Sequence, residues 1–136
     1  MYPEIRLLLV DDEEELILTL ERVLRLEGYS VDYTTSPNEA LEIIKNKKYH
    51  IVVADIVMPE MDGIDLLAAI KEYDPLTQVI MMTGYSTMDK TVRCLEKGAS
   101  DYLLKPFKDS GQVLEAIKLS EAKLRRWWEC MRGNFS

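Results

Sequence analysis

The chain has 136 residues, enough for one domain around a single core and too few for two ordinary ones. Hydrophobic residues make up 47% and charged residues 30%, a balance that excludes wholesale disorder. The net charge of −7 argues against nucleic acid as a partner of the whole surface.

The first apolar run, Leu7-Leu8-Leu9-Val10, reads as a strand and stops at Asp11-Asp12. Five consecutive acids, residues 11–15, lead into Leu16, Ile17, Leu20, Val23 and Leu24. That is the three-four spacing of a helix with one buried face, and Gly28 fits as its stop. Val31-Asp32-Tyr33 is a short strand. Ser36-Pro37-Asn38-Glu39 supplies a cap, a proline at the first helical position and a glutamate three residues after the cap. It opens a helix through Ala40, Leu41 and Ile44. Ile51-Val52-Val53-Ala54 is apolar without alternation, as expected of a central strand buried on both faces, and it stops at Asp55. Residues 59–63 read as a loop and 64–73 as a helix ended by Asp74-Pro75. Val79-Ile80-Met81-Met82 is a strand that stops at Thr83, and residues 87–97 are a helix closed by Gly98. Tyr102-Leu103-Leu104 is a fifth strand that stops at Lys105, and a last helix begins near Ser110.

Five strands alternating with five helices, without an internal repeat, predict an α/β fold with a doubly wound parallel sheet and right-handed crossovers. Ligands in such sheets bind outside the carboxyl ends of the strands, where the strand order reverses. Those ends carry Asp11, Asp12, Asp55, Thr83 and Lys105. Three carboxylates, a hydroxyl and an ammonium converging on one crevice suit a divalent cation and a phosphoryl group.

Each residue also has a plainer reading. Acids at a helix start favour its dipole, which is sufficient reason for Asp11 and Asp12. Asp55 resists that treatment, because a carboxylate ending a buried strand is desolvated unless something pairs with it. Carboxylates this close repel, and oxygen ligands favour Mg²⁺, Mn²⁺ or Ca²⁺ over softer metals. Lys105 is either a structural counter-ion or a phosphate partner. Thr83-Gly84 is either turn chemistry or an anion cradle, a hydroxyl followed by an N–H that no side chain obstructs.

From about Ile5 to about Leu119 the chain resembles the receiver domain of two-component response regulators. The resemblance rests on Asp11-Asp12, on Asp55-Ile56-Val57-Met58-Pro59 followed by Met61-Asp62-Gly63, and on Met82-Thr83-Gly84. It continues through Gly98-Ala99-Ser100-Asp101-Tyr102-Leu103-Leu104-Lys105-Pro106-Phe107. Within that family the chain resembles receivers of nitrogen-regulatory and other transcription-activating regulators. The resemblance implies a flavodoxin-like fold with strand order 2-1-3-4-5. It implies Asp55 as the nucleophile that takes a phosphoryl group from a sensor histidine kinase or phosphotransfer protein, or from a small phosphodonor. Asp12, Asp55 and the Val57 carbonyl would bind Mg²⁺, with Mn²⁺ as a substitute and Asp11 acting mainly through water. Phosphoryl oxygens would meet Thr83, Lys105 and the N–H groups of Val57 and Gly84. A cis Lys105-Pro106 peptide would aim the lysine inward.

The same resemblance implies a switch. Thr83 would be drawn inward on phosphorylation and Tyr102 would follow, changing the face made by the fourth helix, fifth strand and fifth helix. Tyr102 has the alternative of a plain edge-strand aromatic. That face, or the C-terminal helix, is the expected surface for a homodimer. Val57 and Tyr85 occupy positions that vary within the family and offer no base to orient a hydrolytic water. A slowly hydrolysing phosphorylated state follows, partly shielded by Tyr85.

The expected module phosphorylates and dephosphorylates itself and turns over no external substrate. A phosphatase or phosphotransferase working through aspartyl phosphate is the rival, and it places a second acid two residues after the nucleophile, where Val57 stands. Neither GxGxxG nor GxxxxGK[ST] occurs, which counts against a nucleotide site. A receiver-like scaffold that only binds proteins is the third reading.

Residues 1–119 are expected to form the receiver domain and 120–136 a C-terminal helical extension or linker. Ile117, Leu124 and Met131 are spaced by seven, beside a poorer row of Val113, Ser120 and Trp127. Residues 121–132 hold four basic and two acidic side chains. A solvated helix end, a helix that dimerises or leads to an effector, and a nucleic-acid contact are the open readings, with none for the receiver itself. His50, the one histidine, precedes a strand, and surface or strand-end placement is expected. Two cysteines are too few for a disulfide framework, and Cys94 and Cys130 read as packing or incidental thiols. No apolar stretch approaches the roughly 20 residues of a membrane span, and no signal peptide is evident. A cytoplasmic setting without membrane contact is expected.

Overall fold

The computed structural model describes residues 4–135; the outermost residues of the two predicted segments, 1–3 and 136, lie outside them. In chain order the elements are β1 (Arg6–Val10), α1 (Glu14–Leu26), β2 (Ser30–Thr34), α2 (Pro37–Asn46), β3 (Ile51–Asp55) and α3 (Gly63–Tyr73). They continue as β4 (Gln78–Thr83), α4 (Met88–Glu96), β5 (Asp101–Leu104) and α5 (Gly111–Phe135). All strands pair in parallel in the order β2-β1-β3-β4-β5, the doubly wound topology expected.

Two apolar layers sandwich the sheet. Leu7, Leu9, Ile51, Val53, Ile80 and Met82 face α1 and α5, while Leu8, Val10, Val52, Ala54, Val79 and Met81 face α2, α3 and α4. Strand side chains alternate between faces, so burial on both sides produces the unbroken apolar runs of β3 and β4. Local signals set the helix ends. Ser36, Asp62 and Thr87 cap α2, α3 and α4 by accepting a bond from a first-turn N–H. Gly28 and Gly98 close α1 and α4 at φ +94° and +93°. The reciprocal bond expected from Glu39 is replaced, because the Ser36 N–H donates to Thr34 Oγ1.

The last helix runs past residue 119 without a break. Val113, Ile117, Ser120 and Leu124 are buried against the domain's own sheet, and Trp127 and Trp128 pack against the same layer. The heptad rows therefore serve this chain's core as far as Trp127, and Met131 lies beyond it, exposed. Tyr29 Oη donates to Glu121 Oε1 at 2.7 Å and ties α5 to the turn before β2. His50 sits at a strand end, as one of the two expectations had it, but is buried rather than on the surface. Its Nδ1 accepts the Arg6 N–H at 3.0 Å. Cys94 is buried in the α2–α4 layer and Cys130 is exposed. No helix among the described residues is long and apolar enough to cross a membrane.

Candidate functional site

Neighbouring strands deliver the carboxylates. Val10 of β1 lies opposite Ala54 of β3, so Asp11 and Asp55 follow one another at adjacent strand ends. Single carboxylate oxygens of Asp11, Asp12 and Asp55 lie within 4.8 Å of one another. Asp11 is fully buried, Asp55 nearly so, and Asp12 is exposed.

Lys105 enters from β5. Its backbone N–H donates to Thr83 O at 2.7 Å, and its peptide bond to Pro106 is cis. Its Nζ lies 2.6 Å from Asp11 Oδ2, 2.8 Å from Glu13 Oε1 and 3.3 Å from Asp55 Oδ2. Three carboxylates thus face one ammonium, and the Asp12 carboxylate lies beside two of them. Burial pushes Asp11 up to about 6, although the bond from Lys105 opposes it. Burial likewise raises Asp55 above the usual carboxylate range, against the Lys105 charge. Burial alone would lower the Lys105 ammonium, and the bonds to Asp11 and Glu13 outweigh it, so the lysine stays charged. An all-oxygen donor set with uncompensated buried charge fits a hard divalent cation.

The loop after β3 frames Asp55. The Val57 N–H donates to Asp55 Oδ1 at 3.3 Å, while the Val57 side chain stands in solvent. Gly63 folds back so closely that a Cβ there would lie 2.0 Å from the Asp55 carbonyl oxygen. Its N–H donates to Ile56 O at 2.7 Å, which pins the loop.

The β4–α4 loop forms the far wall. Thr83 is buried, and its hydroxyl is engaged within the turn: Oγ1 donates to Tyr85 O at 3.0 Å and accepts the Tyr85 N–H at 3.1 Å. Gly84 is open, since a Cβ built there meets nothing within 4 Å. The Tyr85 ring is exposed, with Lys90 Nζ 5.2 Å from its centre. Tyr102, half-buried, donates from Oη to Ser86 Oγ at 3.1 Å.

The structure thus gathers Asp11, Asp12, Asp55 and Lys105 into one cluster and leaves the side chains of Val57 and Tyr85 outside it. Three contributors escaped the sequence reading. Glu13 was hidden in an acidic run, Ser86 had no signal, and Gly63 was visible only as part of a motif.

Residues 7–118 match the family model of the response regulator receiver domain. The transcriptional regulatory protein ZraR of Klebsiella oxytoca is 41% identical over 103 residues, 76% of this chain and 23% of that protein. The DNA-binding transcriptional regulator NtrC of Klebsiella pneumoniae is 37% identical over 121 residues, 89% of this chain and 25% of its own length. The chain spans about a quarter of the length of these curated relatives. The solution structure of the beryllofluoride-activated NtrC4 receiver domain dimer superposes with a TM-score of 0.83 at 36% identity, covering 88% of this chain and 98% of that one.

Proposed function

The chain belongs to the response regulator receiver domain family of two-component signalling, and from that premise we propose that Asp55 is its phosphoacceptor. The observation that carries this is the pairing of a buried strand-end carboxylate with a nearly buried ammonium, 3.3 Å apart, beside two further carboxylates. Phosphoryl transfer mainly needs in-line positioning and neutralised oxygen charge. Here the Val57 N–H holds Asp55 Oδ1, and Oδ2 lies on the Lys105 side.

In the proposed reaction a carboxylate oxygen of Asp55 attacks phosphorus. The donor is a phosphohistidine of a sensor kinase or phosphotransfer protein, or a small phosphodonor. With phosphohistidine the O–P bond forms as the P–N bond breaks, and the electron pair leaves on the imidazole, which takes a proton; with acetyl phosphate a P–O bond breaks instead and acetate leaves. Lys105, Thr83 and the N–H groups of Val57 and Gly84 receive the phosphoryl oxygens. Asp12, Asp55 and the Val57 carbonyl, with Asp11 acting mainly through water, would hold a Mg²⁺ or Mn²⁺, which would supply charge neutralisation. This self-phosphorylation and the reverse loss of phosphate are the only chemistry proposed. No acid stands at position 57 to drive hydrolysis, and Tyr85 at the rim shields the product, so the phosphorylated state decays slowly.

Thr83 must give up its bonds to the Tyr85 backbone to reach a phosphoryl group. The same short loop holds the Tyr102 hydroxyl through Ser86, so its rearrangement frees Tyr102 and alters the α4-β5-α5 face. Phosphorylation need only bias an existing two-state equilibrium. The dimer named for the NtrC4 receiver supports self-association as such, and that face or the C-terminal helix is the surface proposed for it. Residues 1–119 act as the receiver and 120–136 as a helical extension toward an output, in a cytoplasmic setting.

The test is intact mass after incubation with Mg²⁺ and acetyl phosphate or phosphoramidate. Wild type gains one phosphoryl mass and Asp55→Ala gains none. An adduct in both refutes Asp55 as the acceptor, and an adduct in neither favours the protein-binding scaffold.

A further inference from the structure

Glu13 stands at the N-cap of α1 with extended backbone, φ −85° and ψ 91°, yet its side chain makes no capping bond. The corresponding residues of α2, α3 and α4 all cap their own helices. The Glu13 carboxylate instead crosses to Lys105, 2.8 Å away, on a side chain that is 61% exposed. An ammonium has three donors. Those of Lys105 face Asp11 at 2.6 Å, Glu13 at 2.8 Å and Asp55 at 3.3 Å, so the longest bond is the one to the proposed phosphoacceptor. Asp11 completes the arrangement by accepting the Glu13 N–H on its other oxygen at 2.9 Å. Asp11 and Glu13 together draw the ammonium toward α1.

We propose that Glu13 is a positioning residue that holds Lys105 at the α1 side of the crevice until a phosphoryl group takes its place. The proposal rests on Asp55 as the acceptor. All three donors face carboxylates before a phosphoryl group arrives, the two shortest bonds going to Asp11 and Glu13, so the ammonium turns fully toward a phosphoryl oxygen on Asp55 only by loosening one of those two. The bond to release is the one to Glu13, because water solvates its exposed carboxylate once the lysine leaves. Asp11, fully buried, has no such replacement, and breaking that bond would strand a desolvated charge. Glu13 therefore sets the threshold for phosphoryl capture and favours the unphosphorylated arrangement.

The probe is beryllofluoride, a phosphoryl mimic, titrated with Mg²⁺ into the full chain. Glu13→Gln binds it more tightly than wild type by about two- to fivefold, the worth of one partly exposed charged contact. Glu13→Asp, one methylene short of Lys105, behaves like Glu13→Gln. On a Lys105→Gln background the effect of Glu13→Gln disappears. Persistence of the gain on that background, wild-type affinity in Glu13→Asp, or no gain in Glu13→Gln would each show a diffuse charge effect or none, and overturn the proposal. A second measurement needs neither metal nor mimic: acetylation of Lys105 by an amine reagent, read by peptide mass. The rate rises in Glu13→Gln, and an unchanged rate also overturns the proposal. If wild type fails to bind beryllofluoride, or Asp55→Ala binds it equally, the phosphoacceptor assignment fails, and the acetylation rate still decides the role of Glu13.

Discussion

The Trp128 ring stands edge-on to the His50 imidazole, with centroids 5.7 Å apart and planes at 83°, at the sheet edge opposite Asp55. The contact fastens the last helix to the amino-terminal ends of the strands, well past the point where the family pattern stops at residue 118. Leu124, 2% exposed, lies between this contact and the rest of the core. Leu124→Ala is expected to lower the unfolding free energy by about 2–4 kcal/mol. A chain ending at residue 119 loses the same contacts and should unfold at lower urea. Equal urea midpoints for the full and shortened chains would show that these contacts contribute nothing.

His50 gives the fold a pH dependence. Burial holds its pKa below the ordinary 6.5, helped by the charges of Lys48 and Arg6 and opposed by Asp74. Trp128 faces the ring without charge. The folded state therefore binds fewer protons than the unfolded state. Stability is full above pH 6.5 and falls as pH drops below it toward the folded pKa. His50→Asn keeps an acceptor for the Arg6 N–H and cannot take the proton, so its stability should fall less between pH 7 and 5. Parallel urea midpoints for the two proteins across that range would rule this out.

Two glycines near the site should respond unequally to a methyl group. At Gly63 the added carbon would meet the Asp55 carbonyl oxygen and the Ile56 Cα, backbone atoms that cannot move without dislodging the strand end. Gly63→Ala should cost about 1–3 kcal/mol, as overpacking does. At Gly84 the space is open, and Gly84→Ala should change stability by less than about 0.5 kcal/mol. Chemical denaturation of both variants distinguishes a required contact from a permissive turn.

Removal of divalent cation should matter more at neutral than at acidic pH. The folded pKa of Asp11, about 6, lies above its ordinary 3.8, so ionising it opposes folding. That cost is absent below pH 3.8, grows through the interval and is complete above about pH 6. A cation on the cluster offsets it. The rise in melting temperature produced by Mg²⁺ over EDTA should therefore be larger at pH 7.5 than at pH 5. Equal rises at both values would place the cation elsewhere.

The strands and the carboxylate cluster were legible because burial on both faces writes itself as unbroken apolar runs, and the residues that end them stand out. Ser36 was readable for a similar reason, since a cap sits directly beside its helix, whereas Thr87 was read as the first helical residue and is the cap. Glu13 was not, because an acid in a helix-start run looks the same whether it meets water or Lys105. The inward rows of α5 were missed for a geometric reason. Over two turns, heptad spacing is the same for a stripe facing one's own sheet and for one facing a second helix. His50 carried no periodicity at all, and its burial depends on Trp128, 78 positions away in the chain.

The two-sided packing of the sheet has a consequence for how such a molecule can be altered. Asp55 and Lys105 share the parity of the residues facing α1 and α5, while Thr83 and Tyr102 share the parity of those facing α2, α3 and α4. The sheet is a partition between a chamber of charges and a chamber that holds the proposed switch residues, and the hatch between them is the turn at Thr83, Tyr85 and Ser86. Exchanges among the packing residues of the second chamber leave the charges of the first untouched. Sensitivity and response can then drift apart over evolutionary time, joined only at that hatch.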